Sequence, residues 1–356
     1  MYHDLQITNR HIYKKPQLLK RGDTVAVLSP SWGGPHAFPL VYERGLEFLQ
    51  EFGLLVKEFP STRLSADELY LNPKLRADDI NAAFADKEIK AIFASIGGDD
   101  SMRVLPYLDS QIIKNNPKIF MGYSDTTTIL VYMNLLGLVS FHGPAIMAGF
   151  SQIASLPISF KEHLYEILFN SDAEYEYKAY AVFCDGYPDW SMSSSVGKTN
   201  SLNSDDGWHF LNGSGIVQGQ LFGGCLEVLE FLKHTEYFTE SDFWHNKILF
   251  FETSELKPSI LQVTWMLRNY GLQGVFHKVS GILFGRARDY SIVEKALLDK
   301  AIKDVITIEF GAEDLPIVTN MDFGHTDPQF VLPLGILAEM DITKKTFKLI
   351  EPCFSD

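Results

Sequence analysis

From Asp23 onward, short β-rich runs alternate with amphipathic stretches, and this alternation restricts the fold more than any other feature of the chain. Thr24 to Leu28 reads as a strand, followed by a Gly/Pro loop from Ser29 to Pro35 and a helical pattern through Leu40, Leu46 and Leu49. Leu54 to Phe59 reads as a strand and Leu75 to Phe84 as a helix. Ala91 to Ile96 is a strand ending in Gly97 and Gly98, and Ile119 to Tyr123 is another. Strands alternating with helical patterns predict a parallel sheet with crossover helices. Ligands of such sheets bind beyond the carboxyl ends of the strands. Three loops occupy that position: Ser29 to Gly34, Gly97 to Ser101, and Ser124 with Asp125.

Between about Cys184 and Gly215 the composition turns to Ser, Gly, Asn and Asp, interrupted by Trp190, Trp208 and Phe210. We read it as a linker without regular structure that carries a lid or binding loop. A second α/β segment follows. Gly223 and Gly224 precede a helix from Leu226 to Leu232, and Lys247 to Phe251 is a strand ending on Glu252. Ile260 to Tyr270 is helical, Gly281 to Phe284 and Pro316 to Thr319 are strands, and a hairpin pairs Leu337 to Asp341 with Thr346 to Ile350 about Lys344 and Lys345. The expected fold is α/β. It has an N-terminal parallel-sheet, Rossmann-like domain (1–170), a linker with the Trp-containing lid loop (171–215), and a smaller, β-rich C-terminal α/β domain (216–356), with the active site between the two domains.

A chain of 356 residues accommodates two cores. Its net charge of −14, with no strong Lys/Arg cluster, argues against nucleic acid or an anionic membrane as partner. Met1 to Lys20 is polar, without an apolar signal-like core, and no stretch has the length of a membrane span, so a cytoplasmic protein is expected. Cys184, Cys225 and Cys353 are widely spaced and odd in number, which fits a reducing compartment. No CxxC or HExxH spacing occurs and the histidines are scattered, so neither metal nor cofactor is expected.

The chemistry centres on Gly122-Tyr123-Ser124-Asp125, where an apolar run meets the helix-like run from Thr127 to Leu136. A serine at a strand-to-helix turn presents its hydroxyl beside a helix N-terminus, where an acyl-transfer enzyme holds its nucleophile. Ser and Asp are also ordinary helix caps, and Thr126 stands where the G-x-S-x-G pattern has its last glycine. Glu252 and His325 share with Ser124 a position just beyond a strand end. Imidazole suits the role of base, and a carboxylate on its far nitrogen would orient it. His142, in Phe141-His142-Gly143-Pro144, competes with His325 for that role.

The strings Ser95-Ile96-Gly97-Gly98-Asp99-Asp100-Ser101, Gly122 to Thr127, Phe141 to Pro144, Gly219 to Leu226, Phe251 to Glu255 and Gly324-His325-Thr326 together resemble the S66 serine peptidases. That family contains the murein LD-carboxypeptidases and the microcin C7 self-immunity (MccF-type) proteins. The resemblance spans most of the chain from about Asp23. It implies a triad of Ser124, Glu252 and His325, an oxyanion hole from the N–H groups of Gly98 and Asp125, and a homodimer. It implies a small peptide or peptidyl-nucleotide substrate. The Trp-bearing loop tilts the resemblance toward the MccF-like branch, with Trp190 as the residue that stacks on a nucleobase and Trp208 second. Gly224 and Cys225 fall in the ligand-binding stretch, where relatives read Gly-Gly-Asn, so a thiol replaces a side-chain amide. Three functions are therefore weighed: hydrolysis of microcin C-like peptidyl or aminoacyl nucleotides, a muramoyl-tetrapeptide LD-carboxypeptidase, and a ligand-binding module without turnover.

Overall fold

The structure is a computed structural model that describes residues 11–170, 173–239 and 241–355. Residues 1–10, part of the polar N-terminus read above, lie outside the described residues. The first sheet is built from β1 (Thr24–Leu28), β2 (Leu55–Glu58), β3 (Ile89–Ala94), β4 (Ile119–Gly122) and β5 (Ser140–His142). They run parallel in the order β5-β4-β3-β1-β2. β4, Ile-Phe-Met-Gly, is buried along its length, as a parallel strand covered on both faces must be. Helices Pro39–Glu51, Pro73–Ala85 and Thr127–Leu135 are among the crossovers. The strand order reverses between β1 and β3, and the crevice beyond their carboxyl ends holds the loops 29–34 and 97–101.

The segment between the two sheets contains β6 (Tyr175–Glu176), β7 (Val182–Asp185), β8 (Asn203–Ser204) and β9 (His209–Asn212), the last two within the stretch from about Cys184 to Gly215 that was expected to lack regular structure. The second sheet continues with β10 (Ile216–Cys225), β11 (Lys247–Glu252), β12 (Gly281–Gly285) and β13 (Ile317–Met321). The chain then forms β14 (Thr326–Asp327), β15 (Leu332–Leu334), β16 (Leu337–Asp341) and β17 (Thr346–Leu349). Strands β10 to β13 form a parallel centre, with β16, β17 and β6 antiparallel on one side and β9 on the other. β9 earns its order from β13, far along the chain, and local composition carries no sign of such a partner.

Two crossings tie the halves together. β15 leaves the C-terminal half to pair antiparallel with β5, Leu332 opposite His142. β7 pairs with β14, Asp185 opposite Thr326, so the root of the Trp-bearing segment braces the residues that follow His325. One continuous hydrophobic core spans both sheets, with Phe120 and Phe141 from the first and Phe250 and Leu283 from the second. Among the described residues, no helix is long and apolar enough to cross a membrane.

Candidate active site

Ser124 leaves the carboxyl end of β4 with φ 59°, a left-handed conformation that costs a residue with a Cβ about 1–2 kcal/mol. The turn is a strained elbow, and its tightness falls on Gly122: a Cβ there would lie 2.9 Å from Thr126 Cγ2 and 3.0 Å from Ala94 Cβ. The missing second glycine of the pattern is thus no obstacle, because the Thr126 methyl occupies the space that Gly122 leaves open. Gly97 faces the elbow from the neighbouring loop, where a Cβ would meet Ser124 Oγ at 3.1 Å.

Glu252 ends β11 and is fully buried; His325 follows β13 and is buried as well. His325 Nδ1 is 2.7 Å from Glu252 Oε2, and Nε2 is 3.0 Å from Ser124 Oγ. Serine, imidazole and carboxylate, drawn from two sheets, therefore form one hydrogen-bonded line. Gly324, with φ 97°, permits this approach, since a Cβ there would sit 2.7 Å from Glu252 Cβ. Burial disfavours ionised Glu252, but the His325 charge, the nearby His142 ring and the His325 hydrogen bond outweigh it and hold the carboxyl below its usual range. Burial likewise disfavours charged His325, and the Glu252 and Glu255 carboxylates outweigh it, moving its pKa upward.

His142 lies on the other side of Glu252, its Nε2 3.7 Å from Oε1. Its ring packs edge-on against Phe250 and Tyr123, at 5.4 Å and 6.2 Å between centroids. It backs the carboxylate, and of the two histidines weighed for the base it is His325 that reaches Ser124.

Asp125 joins two of the predicted loops. Its buried carboxylate accepts the Ser101 N–H at 2.8 Å, while Ser101 Oγ donates to the Asp125 carbonyl at 2.7 Å. Burial raises the Asp125 pKa against the pull of the neighbouring Ser31 hydroxyl and the Ser101 hydrogen bond. Gly98, with φ 152°, is walled by Ser31, whose Oγ a Cβ would approach to 2.2 Å. Only a glycine can hold that place in the loop beside Ser124.

Gly224 abuts the Thr127 side chain, and the Cys225 N–H donates to Thr127 Oγ1 at 3.2 Å. Cys225 is buried, opposite Glu252 in the β10–β11 register, with its Sγ 3.7 Å from Glu227 Oε2. Burial, then Glu252 and Glu227, push its pKa well up, so it remains a protonated thiol. The two tryptophans part company. Trp190 packs against Tyr187 and Phe38, at 5.2 Å and 5.7 Å, and Tyr187 in turn leads to Tyr123 and the His325 ring. Trp208 instead donates its indole N–H to Asp322 at 2.8 Å, beside the buried Arg286 that Asp205 and Asp322 flank.

One residue of the site carried no role at the level of sequence. Glu255 brings its Oε2 to 3.0 Å from His325 Nε2 and is half exposed. Its place three residues beyond Glu252, in the string Phe251 to Glu255, was the available signal. Among the described residues, no group of three or more His, Cys, Asp or Glu is placed to hold a metal ion.

A serine, a histidine and a glutamate thus meet between two α/β sheets, and known proteins share the sequence and fold around them. Residues 25–143 match the N-terminal domain of the LD-carboxypeptidases of peptidase family S66, and residues 218–340 match the C-terminal domain. The chain belongs to this family of carboxypeptidases. It is 28% identical to the microcin C7 self-immunity protein MccF of Escherichia coli, over 94% of this chain and 95% of that one. It is also 28% identical to a Bacillus subtilis protein named "Probable murein peptide carboxypeptidase", over 93% of each. The solved structure of MccF in complex with aspartyl sulfamoyl adenosine superimposes with a TM-score of 0.85 at 28% identity, covering 96% of this chain and 99% of that one.

Proposed function

We propose that the protein is a metal-independent serine amidohydrolase of the MccF-like type, cleaving the amide or acyl-sulfamate bond of microcin C-like peptidyl or aminoacyl nucleotides. The observation that carries this reading is the line from Ser124 Oγ through His325 to Glu252. Ser124 Oγ adds to the scissile carbonyl carbon as His325 Nε2 takes its proton, and Glu252 stabilises the imidazolium through Nδ1. The N–H groups of Gly98 and Asp125 hold the oxyanion; that of Asp125 opens a helical turn whose first internal bond runs from Thr126 N to Tyr123 O. His325 then protonates the departing nitrogen, the C–N bond breaks, and water activated by the same base releases the acyl-enzyme.

In this reading residues 1–170 supply the nucleophile, 171–215 the Trp190 platform for a nucleobase, and 216–356 the base and its carboxylate. Gly224 and Cys225 line the ligand, Trp208 braces the loop, and the enzyme works as a cytoplasmic homodimer in detoxification or self-immunity. The family match favours a second reading, LD-carboxypeptidase action on a murein tetrapeptide, which uses the same residues. Steady-state hydrolysis of aspartyl sulfamoyl adenosine compared with a murein tetrapeptide decides between them. Preference for the nucleotide supports the first reading and preference for the tetrapeptide the second. Tight binding of either without turnover would leave a ligand-binding module.

A further inference from the structure

His325 Nε2 has two oxygens at the same distance: Ser124 Oγ at 3.0 Å and Glu255 Oε2 at 3.0 Å. With Nδ1 bonded to Glu252, a neutral imidazole would turn the Nε2 lone pair toward a carboxylate, which is repulsive. The arrangement is favourable only when Nε2 carries a proton, so with Glu255 in this position His325 is held as an imidazolium and is not a base. The carboxylate influences on His325 act in the same direction. For Ser124 to lose its proton, Glu255 must leave His325, and a cation that takes its place as partner would hold it away.

Among the described residues the cations near Glu255 already have partners: Lys257, two residues on, is bound through Nζ to Glu294, and Arg288, whose charge Glu255 feels, pairs through Nε with Asp289. Glu252, Glu227 and the buried Asp327 add further acid to the surroundings. Glu255 itself is free to turn: its side chain is 51% exposed, on the loop between β11 and helix Ile260–Leu272, whereas Glu252 is 0% exposed. Its oxygen lies within two hydrogen-bond lengths of Ser124 Oγ, and the α-ammonium of an acyl residue lies two bonds from the carbonyl carbon that Ser124 attacks. The two fit the same space.

We propose that Glu255 is a specificity-determining residue that binds the free α-ammonium of the acyl residue and, by turning to it, releases His325 to serve Ser124. The proposal rests on the hydrolase reading above and narrows its substrate to aminoacyl nucleotides with a free amine, in preference to peptidyl forms whose α-nitrogen is acylated. Substrate recognition and activation of the base are then one event.

The test compares aspartyl sulfamoyl adenosine with its N-acetyl derivative on the wild-type protein and on Glu255→Gln. The wild type should favour the free amine in kcat/KM by about tenfold or more, the worth of one charge-assisted hydrogen bond, and the variant should bring the ratio toward one. Calorimetry on Ser124→Ala should give the same order of affinities without turnover. A wild-type ratio near one, or the same ratio in Glu255→Gln with both rates lowered together, overturns the proposal and leaves the hydrolase reading standing. If the wild type neither binds nor cleaves either nucleotide, the nucleotide reading falls and this proposal with it.

Discussion

The Ser124–His325–Glu252 line and the Trp-bearing loop are neighbours built on opposite plans. Glu252 and His325 are buried at strand ends, and their spacing is enforced by glycines at 97, 122 and 324 that admit no Cβ without displacement. The loop has short strands, and exposed residues such as Asp189, Ser191 and Met192 surround a half-buried Trp190. The two meet through the Tyr187 and Tyr123 hydroxyls, 3.5 Å apart, and the packing of the Tyr123 ring against His325. Parts that must act on one bond are fixed by backbone and core, which tolerate sub-ångström errors poorly. The part proposed to meet the ligand is a surface loop braced at its roots, by β14 and by the Trp208–Asp322 bond.

The strongest way to break this contrast is to remove the hydroxyl proposed as nucleophile. Ser124→Ala should lower kcat by about 10⁴- to 10⁶-fold with the thermal midpoint unchanged, and His325→Ala should be as severe. The double variant should be no worse than either single one. Turnover by Ser124→Ala near the wild-type rate, in a burst-free assay of the purified protein, would remove the assignment.

Next comes the spacing itself. Gly324→Ala puts a Cβ 2.7 Å from Glu252 Cβ at a φ of 97°. It should cost about 1–3 kcal/mol of stability, read by denaturant melts, and about 10²-fold in kcat by displacing the carboxylate. A variant with native stability and activity would mean that the close approach is slack.

The pH profile sharpens the electrostatic side. His325 must be neutral to accept a proton, and the flanking carboxylates raise its pKa. In the free enzyme, kcat/KM should therefore rise with pH through a midpoint above the ordinary imidazole value of about 6.5. Removing one negative charge, as in Glu255→Gln, should move that midpoint down. A midpoint below the ordinary value in the wild type would contradict this.

The smallest effects belong to the loop. Trp190→Ala should weaken nucleotidyl ligands by about 1–3 kcal/mol and leave plain peptides unaffected, since the indole supplies a stacking face. Trp208→Phe should instead lower stability by about 1.5–3 kcal/mol, the range for a hydrogen bond to a charged group, and weaken both ligand classes alike. Calorimetry with both ligands separates the two tryptophans. Equal losses for both ligands in Trp190→Ala would make that residue a packing element too.

What was legible in the chain was what its local pattern controls. The helix Leu226–Leu232 and the strand Lys247–Glu252 lie where apolar periodicity predicts them, because each segment's burial follows from its own spacing. Residues just beyond strand ends stood out as candidates for the same reason, and the six family strings pointed to S66 before any distance was known. The strands β8 and β9 were not legible in the Ser/Gly/Asn/Asp-rich stretch, since their order depends on partners outside it.

Apart from the family resemblance, which implied His325, the residue pattern left two histidines open for the base, because both stand beside a glycine and composition carries no distances. The tertiary structure separated them: β13 delivers His325 to Ser124 Oγ at 3.0 Å, while β5 puts His142 behind Glu252 at 3.7 Å. It likewise decided that Trp190 packs on Tyr187, which leads through Tyr123 to His325, while Trp208 is bolted to Asp322. Glu255 is the sharpest case. Its identity was in plain sight, but the pairing of its carboxylate with His325 arises where the carboxyl ends of β4 and β11 and the loop after β13 converge, a meeting of residues up to 201 positions apart that no local pattern can encode.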